Sequence, residues 1–408
     1  MKADLDRLME TRGLDGLMIE CSEAFSAERD YLTGGVHITG GKIIKRRGFP
    51  PLLIVNPMET EEAKKSGLRT LSYSELGWQD FVREAEGVWV RAEVPFWARC
   101  LQEAGIPEGK IGVYGVGSLN EILDIVRRVS DAYPQYRFEG ETGMTLFDEA
   151  YLTKDADEIA RLKAIGIHTA EVLRETWDFI AAHRAEGDTV VNSAGEPLRI
   201  GDVKRFVRRA LLDRELEDTG MIFAQGRDGG FPHSRGEAEQ ALRLGQAIVF
   251  DLFPRELGGG YFHDCTRTWC IGYAPPEVQG AYDDVMEAFE MAVEIIRPGM
   301  ETKTPQEAVQ AHFEAKGHPT TRSHPGTNEG YVHSLGHGVG MNIHERPSLS
   351  HLSRDVFAVG NVLTIEPGLY YPDRGYGVRV EDSFYLSPDD GLVSLTPFHR
   401  DLVIPLRG

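Results

Sequence analysis

The chain has 408 residues, 41% of them apolar and 26% charged, with a formal net charge of −20. That length admits two domains with separate cores, and the composition is that of an ordinary globular protein. The acidic balance argues against a nucleic-acid partner, and no apolar run approaches the length a bilayer requires, so neither nucleic acid nor membrane is expected.

Cys21, Cys100, Cys265 and Cys270 form no CxxC pair. They read as reduced thiols of a cytoplasmic protein. The start, Met1-Lys2-Ala3-Asp4-Leu5-Asp6, opens with acids and has no apolar signal core, which fits the same location.

Residues 1–145 alternate short apolar runs with helix-like patterns. Leu17-Met18-Ile19, Leu52-Leu53-Ile54-Val55 and Ile111-Gly112-Val113-Tyr114 predict buried strands. Helices are expected near 3–12, 59–66, 94–104 and 118–129. The result is an α/β domain. Between Gly34 and Arg47 lie four glycines and four bases, Lys42, Lys45, Arg46 and Arg47. The plain reading is a solvated, mobile loop; the sharper one is a lid that meets an anionic substrate terminus.

A boundary is expected at 146–156, where Lys154-Asp155-Ala156-Asp157 opens a long helix with Ile159, Leu162, Ile165, Val172, Leu173 and Ile180 on one face. A second helix is predicted from an Asp202 cap, with Lys204, Arg205, Arg208 and Arg209 on a solvated side. Strands follow at 247–253 and 261–269. The pattern then recurs. A helix spans 277–296, and the next starts at Thr304-Pro305-Gln306-Glu307, which reads as a capping box. Strands come last, at 361–366 and 377–386. Each strand pair carries two acids. Glu366 lies 115 positions after Asp251, and Glu381 lies 117 after Asp264. The near-equality points to two related halves facing one site.

Between the last helix and the last strands runs His333-Ser334-Leu335-Gly336-His337-Gly338-Val339-Gly340, continuing to His344-Glu345. Imidazoles interleaved with glycines suggest a backbone brought close to a bound ion or ligand. Asp251 follows Ala247-Ile248-Val249-Phe250, and Glu366 follows Val362-Leu363-Thr364-Ile365. A carboxylate in so apolar a run is costly unless it is paired, hydrogen-bonded or metal-bound. Asp264 and Glu381 each have an arginine nearby, Arg267 and Arg379, and one such acid alone would read as a structural ion pair. Four acids with a histidine cluster point to two divalent ions. An oxygen-rich shell with one imidazole suits Mn²⁺, Zn²⁺, Co²⁺ or Fe²⁺. A water between such ions loses a proton readily, which describes amide or ester hydrolysis.

These motifs together, Asp264-Cys265-Thr266-Arg267-Thr268, the His333–Glu345 stretch, Ile365-Glu366-Pro367-Gly368 and Arg379-Val380-Glu381-Asp382, resemble the pita-bread metallopeptidases. That group includes aminopeptidase P, prolidase and methionine aminopeptidase. The resemblance covers nearly the whole chain. It implies an α+β protein: a pita-bread catalytic domain at 150–408, with two related halves around a dinuclear metal site, preceded by a creatinase/prolidase-type α/β domain at 1–145. The latter favours the aminopeptidase P, prolidase and creatinase branch. By the same matching Asp251, Asp264, His337, Glu366 and Glu381 are the metal ligands, Mn²⁺ first among the candidates. His344 would assist the tetrahedral intermediate. His333 would contact substrate or support His337, His233 would be the upstream active-site histidine, and Arg379 would orient ligands. The implied substrate is a peptide with proline at the second position, and the implied assembly a homodimer. Two departures stand out: Phe253 replaces a usual glycine, and thirteen positions rather than about eleven separate Asp251 from Asp264. Because of them a metal-dependent hydrolase of a small non-peptide amide stays open, and a non-catalytic binding module is a third reading.

Overall fold

Apolar runs that alternate with helices across the first 140 residues assemble a six-stranded sheet. Its spatial order is Arg69–Ser72, Leu52–Val55, Gly41–Arg46, Gly16–Cys21, Gly109–Val116 and Tyr136–Glu139. The computed structural model describes residues 4–22, 25–389 and 391–407. Residues 1–3, part of the N-terminal reading above, lie outside them. The chain divides into two units, Met1–Ala150 with Gly258–Gly260, and Tyr151–Leu257 with Tyr261–Gly408.

In the first unit Gly16–Cys21 pairs antiparallel with Gly41–Arg46 and parallel with Gly109–Val116. Met18, Ile44, Ile54, Ile111, Phe96 and Trp97 build the core, the last two from a helix over Trp89–Glu103. The basic segment is a correction. Residues 41–46 are an interior strand, not a mobile loop, and not a lid. Lys42 stands directly opposite Glu20, and its Nζ donates to both Glu20 oxygens at 2.9 and 2.8 Å. Lys45 is buried too and donates to Asp6 at 2.7 Å. Two of the four bases, Lys42 and Lys45, are thus engaged within the sheet, whose strand here is buried on both faces, while Arg46 is exposed. A helix at Ala27–Thr33, capped by Ser26, was not foreseen.

In the second unit the long helix runs Ala156–Ala181 from a capping box of Asp155 and Glu158. The next, Ile200–Leu212, begins earlier than expected. Asp202 is its third residue and reaches back to accept the Arg199 N–H, so it does not cap by preceding the helix. Lys204 is buried and donates to the Arg235 carbonyl rather than facing solvent. The helix Lys303–Ala315 starts one residue before Thr304, and the predicted capping box does not form: the N-cap is Thr302, whose hydroxyl donates to the Ser348 carbonyl at 2.7 Å.

Two sheets carry the four acids. One has the order Ile222–Gln225, Ala247–Leu252, Cys265–Ile271, Val403–Ile404; the other has Glu345–Ser348, His337–Gly338, Val362–Ile365, Asp382–Ser387, Gly391–Ser394. The strand predicted at 261–269 begins only at Cys265, and that at 377–386 is broken at Val380-Glu381. The thirteen-residue gap is more than a long hairpin tip. Pro254–Glu256 forms its own strand against Leu216–Asp218. Among the described residues no helix is long and apolar enough to cross a membrane.

Candidate metal centre

The His333–Glu345 stretch is pinned by close backbone approach. A Cβ on Gly336 would lie 2.1 Å from the Thr364 carbonyl oxygen, and one on Gly338 would lie 2.1 Å from that of Arg346. Neither position accepts a larger residue without movement. The glycines bring the stretch close against neighbouring backbone. His337 is the residue this delivers. Its Nδ1 lies 3.1 Å from the Gly338 carbonyl, which fixes Nδ1 as the N–H and leaves the Nε2 lone pair free.

Around that nitrogen the acids gather. His337 Nε2 is 3.4 Å from Glu366 Oε1 and 3.6 Å from Asp264 Oδ2. Asp264, His337 and Glu381 each present one donor atom, all within 4.8 Å of one another. Asp251 acts electrostatically on Asp264, Glu366 and Glu381 and is gripped by Arg379 Nη2 at 2.7 Å. The two strand pairs are not in equivalent register. Asp251 stands opposite Thr266, whereas Ile365 stands opposite Asp382, which brings Glu366 level with Glu381. Thr266 thus occupies the place an acid holds in the other half, and its hydroxyl donates to Glu381 Oε2 at 2.7 Å.

Whether a cation fits can be judged from the oxygens. Asp251 Oδ1, Asp264 Oδ1 and Glu381 Oε1 are buried with no hydrogen-bond partner among the described residues. Unpartnered buried acceptors are rare and costly, and two of these three belong to residues, Asp264 and Glu381, that gather with His337. Burial, followed by mutual repulsion, drives the Asp264 and Glu381 carboxyls well above the usual range. Glu366 is pushed up to about 8 by burial and by Asp251, against the opposing pull of Arg379. Burial, then His344, holds His337 down to about 4, so it is neutral and a ligand in kind. Arg379 is the one cation that contacts this nest among the described residues, and four carboxylates exceed it. Divalent cations would supply the missing charge and the missing partners.

The other predicted residues fall into two groups. Arg379 spans the nest: Nη2 to Asp251, Nε to Thr266 at 3.1 Å, and Nη1 to the Tyr370 hydroxyl at 2.7 Å and the Pro232 carbonyl at 3.2 Å. Through Pro232 it fixes the chain next to His233. His344 packs edge-on against His337 with ring centroids 4.5 Å apart, and His233 is close enough to act on both His344 and His333. Both His233 and His344 are exposed, and accessible to a ligand. His333 differs. Its Nδ1 is 2.8 Å from the Ser334 carbonyl and its Nε2 is 2.9 Å from the Tyr370 hydroxyl, so both ring nitrogens are engaged. Elsewhere, His263 is buried against Thr396, and His324 and His351 are exposed.

Tyr370 escaped the sequence reading. Its hydroxyl accepts from Arg379 and donates to His333, joining the guanidinium to the histidine stretch. In sequence it is one of two tyrosines in a strand, which reads as core. Tyr370→Phe is expected to weaken divalent-cation affinity about 10- to 100-fold, measured by titration calorimetry. Unchanged affinity would show that the hydroxyl does not hold Arg379 in place.

Residues 160–388, more than half of the chain, match metallopeptidase family M24. The putative dipeptidase YkvY of Bacillus subtilis (strain 168) is 33% identical over 202 residues, 48% of this chain and 52% of that protein. The Xaa-Pro dipeptidase of Pyrococcus furiosus is 34% identical over 182 residues, 45% of this chain and 48% of its own. The chain thus spans about half the length of these curated relatives. Among solved structures, the X-Pro aminopeptidase from Thermotoga maritima MSB8 superposes with a TM-score of 0.75 at 22% identity, covering 98% of this chain and 100% of that one. That likeness extends the shared fold to both units, which is the α+β pita-bread architecture with an N-terminal domain.

Proposed function

The chain belongs to metallopeptidase family M24, and from that premise we propose that it hydrolyses the bond before proline in short peptides, Xaa-Pro dipeptides first. The observation that carries the reading is the gathering of Asp264, Glu366 and Glu381 about His337, together with buried oxygens of Asp251, Asp264 and Glu381 that have no hydrogen-bond partner among the described residues. The relatives' names, dipeptidase and Xaa-Pro dipeptidase, supply the substrate class. The first unit is proposed as the creatinase/prolidase-type domain and the second as the catalytic one.

Asp251, Asp264, His337, Glu366 and Glu381 would hold two divalent cations. Mn²⁺ is favoured by the oxygen-rich set, with Zn²⁺, Co²⁺ or Fe²⁺ as substitutes. When bound, such ions supply a water acidic enough to act as nucleophile near neutral pH and polarise the scissile carbonyl. The chain's own groups do the rest. Arg379 holds Asp251 and, through Thr266, Glu381 in fixed orientation. His344, whose imidazole is held below its usual range by partial burial and by His233, would present an N–H to the carbonyl oxygen as it gains charge. His233, across from it, serves the leaving nitrogen. His333 keeps Tyr370 and Arg379 in place. A homodimer in the cytoplasm completes the proposal. All four cysteines are buried, a reducing compartment is part of the proposal, and sedimentation velocity tests the dimer.

Protein stripped by chelator is expected to lose at least about 100-fold in rate and to regain it with Mn²⁺. The panel would hold an Xaa-Pro dipeptide, an Xaa-Pro-Yaa tripeptide and a non-prolyl control. Cleavage of the tripeptide would shift the assignment to an aminopeptidase P. If metal bound but no peptide were cut, the peptidase proposal would fall, in favour of a small non-peptide amide.

A further inference from the structure

One buried ion pair in the catalytic unit lies beside the site and has no part in holding a cation. Lys154 Nζ and Glu345 Oε2 are 2.7 Å apart, with both side chains 2% exposed. They come from positions 191 residues apart. A buried pair recovers little beyond its own desolvation, so its location calls for a reason other than stability.

Glu345 directly follows His344. Its second oxygen turns back on the chain and accepts the Asn342 N–H at 3.0 Å, and the Met341 N–H is a further partner. The carboxylate thus binds the amides of the turn that delivers His344. Gly340 makes room for this. A Cβ there would lie 2.5 Å from Glu345 Oε2 and 2.8 Å from Lys154 Cε. Lys154 is itself anchored. Nζ also donates to the Tyr151 carbonyl at 2.7 Å, and its N–H to the Gly360 carbonyl at 2.9 Å. Asn361 Nδ2 donates to the Leu152 carbonyl at 2.7 Å, immediately before the strand Val362–Ile365 that leads to Glu366. Residues 151–154 therefore brace the turn of His344 on one side and the approach to Glu366 on the other.

We propose that Lys154, acting through Glu345, is a positioning residue for His344. The pair holds the Gly340–Glu345 turn so that the imidazole stays edge-on to His337, 4.5 Å between centroids. A pair serving only the fold would not direct its second oxygen at that turn. The inference deepens the peptidase reading and rests on it.

The test uses full-length, Mn²⁺-loaded protein and two variants, Lys154→Met and Lys154→Met/Glu345→Gln. The double variant leaves no charge unpaired and so guards against misfolding. Both should bind Mn²⁺ as the wild type does and lose about 10- to 100-fold in kcat on Xaa-Pro dipeptide, with KM little changed. Amide hydrogen exchange over 341–345 should quicken. In a His344→Ala background Lys154→Met should cost nothing more in kcat. Wild-type exchange and kcat in the folded double variant would overturn the proposal. So would a loss of equal size with His344 absent. If the wild type bound Mn²⁺ but cleaved no Xaa-Pro peptide, the peptidase reading would fail on its own, and unchanged exchange over 341–345 would sink the brace separately.

Discussion

Glu366→Gln is expected to lower peptide hydrolysis about a thousandfold while making the metal-free protein more stable at pH 8. The two effects have one cause. Glu366 acts together with Asp251, Asp264 and Glu381, of which Asp264 and Glu381 are buried, and Arg379 is their one cationic contact among the described residues. On the proposed function, that negative charge would bind the cations. Losing one ligand removes several kcal/mol of transition-state stabilisation, and each 1.36 kcal/mol is tenfold in rate. Without cations the same charge is a liability. The Glu366 carboxyl is pushed from 4.5 to about 8 by burial and Asp251. For an acid whose pKa is raised on folding, the folded state binds the proton more tightly than the unfolded chain. Its contribution is fully present below about pH 4.5 and is lost between there and about pH 8, at up to about 1.4 kcal/mol per pH unit. Chelated wild type should therefore melt lower at pH 8 than at pH 5. Glu366→Gln should flatten that slope, and Mn²⁺ should abolish it in the wild type. A chelated wild type as stable at pH 8 as at pH 5 would show that the nest is not strained by its own charge.

The acids of this nest were legible because strands made them so. Asp251 and Glu366 each end an apolar run, and a carboxylate there has few explanations. What the sequence could not provide was partnership. Arg267 lies three residues from Asp264, and Arg379 two from Glu381, so each looked like its neighbour's counter-ion. In the fold Arg379 grips Asp251, 128 positions away, and Arg267 meets Asp382, 115 positions away. Alternation sets residues three apart, such as Asp264 and Arg267, on opposite faces, the strand is broken between Arg379 and Glu381, and pairing brings distant residues together. The basic segment misled for a related reason. Lys42 and Lys45 looked solvated beside so many glycines, yet they lie on opposite faces of a strand that is buried on both, and pair with Glu20 and Asp6. Tyr370 and Thr266 were invisible as site residues because a hydroxyl's role depends wholly on what faces it. The capping box at Thr304 failed although its residues were right. The helix began one residue earlier, and the Thr302 hydroxyl found Ser348 and Ser353 instead.

Arg267→Met should be the most destabilising single change at the back of the site, at about 3–5 kcal/mol. The side chain is wholly buried and pairs with Asp382 Oδ1 at 2.8 Å, itself wholly buried. Its N–H groups fan out to four carbonyls, those of His399 at 2.8 Å, Thr266 at 3.0 Å, Glu381 at 2.8 Å and Phe398 at 3.0 Å. Methionine fills similar volume but donates nothing, so four buried acceptors lose a partner and Asp382 keeps Arg400 alone. Arg267→Lys should recover less than half of the loss, because an ammonium cannot serve so planar a fan. Urea unfolding followed by circular dichroism measures both, and a methionine variant within about 1 kcal/mol of wild type would refute the account. The carbonyl of Glu381 ties the two arginines' roles apart. Arg267 holds that residue by its backbone, whereas Arg379 reaches its carboxylate through Thr266. Substituting Arg267 should therefore lower stability and cation affinity together. Substituting Arg379 should lower affinity by a margin that its effect on unfolding does not explain.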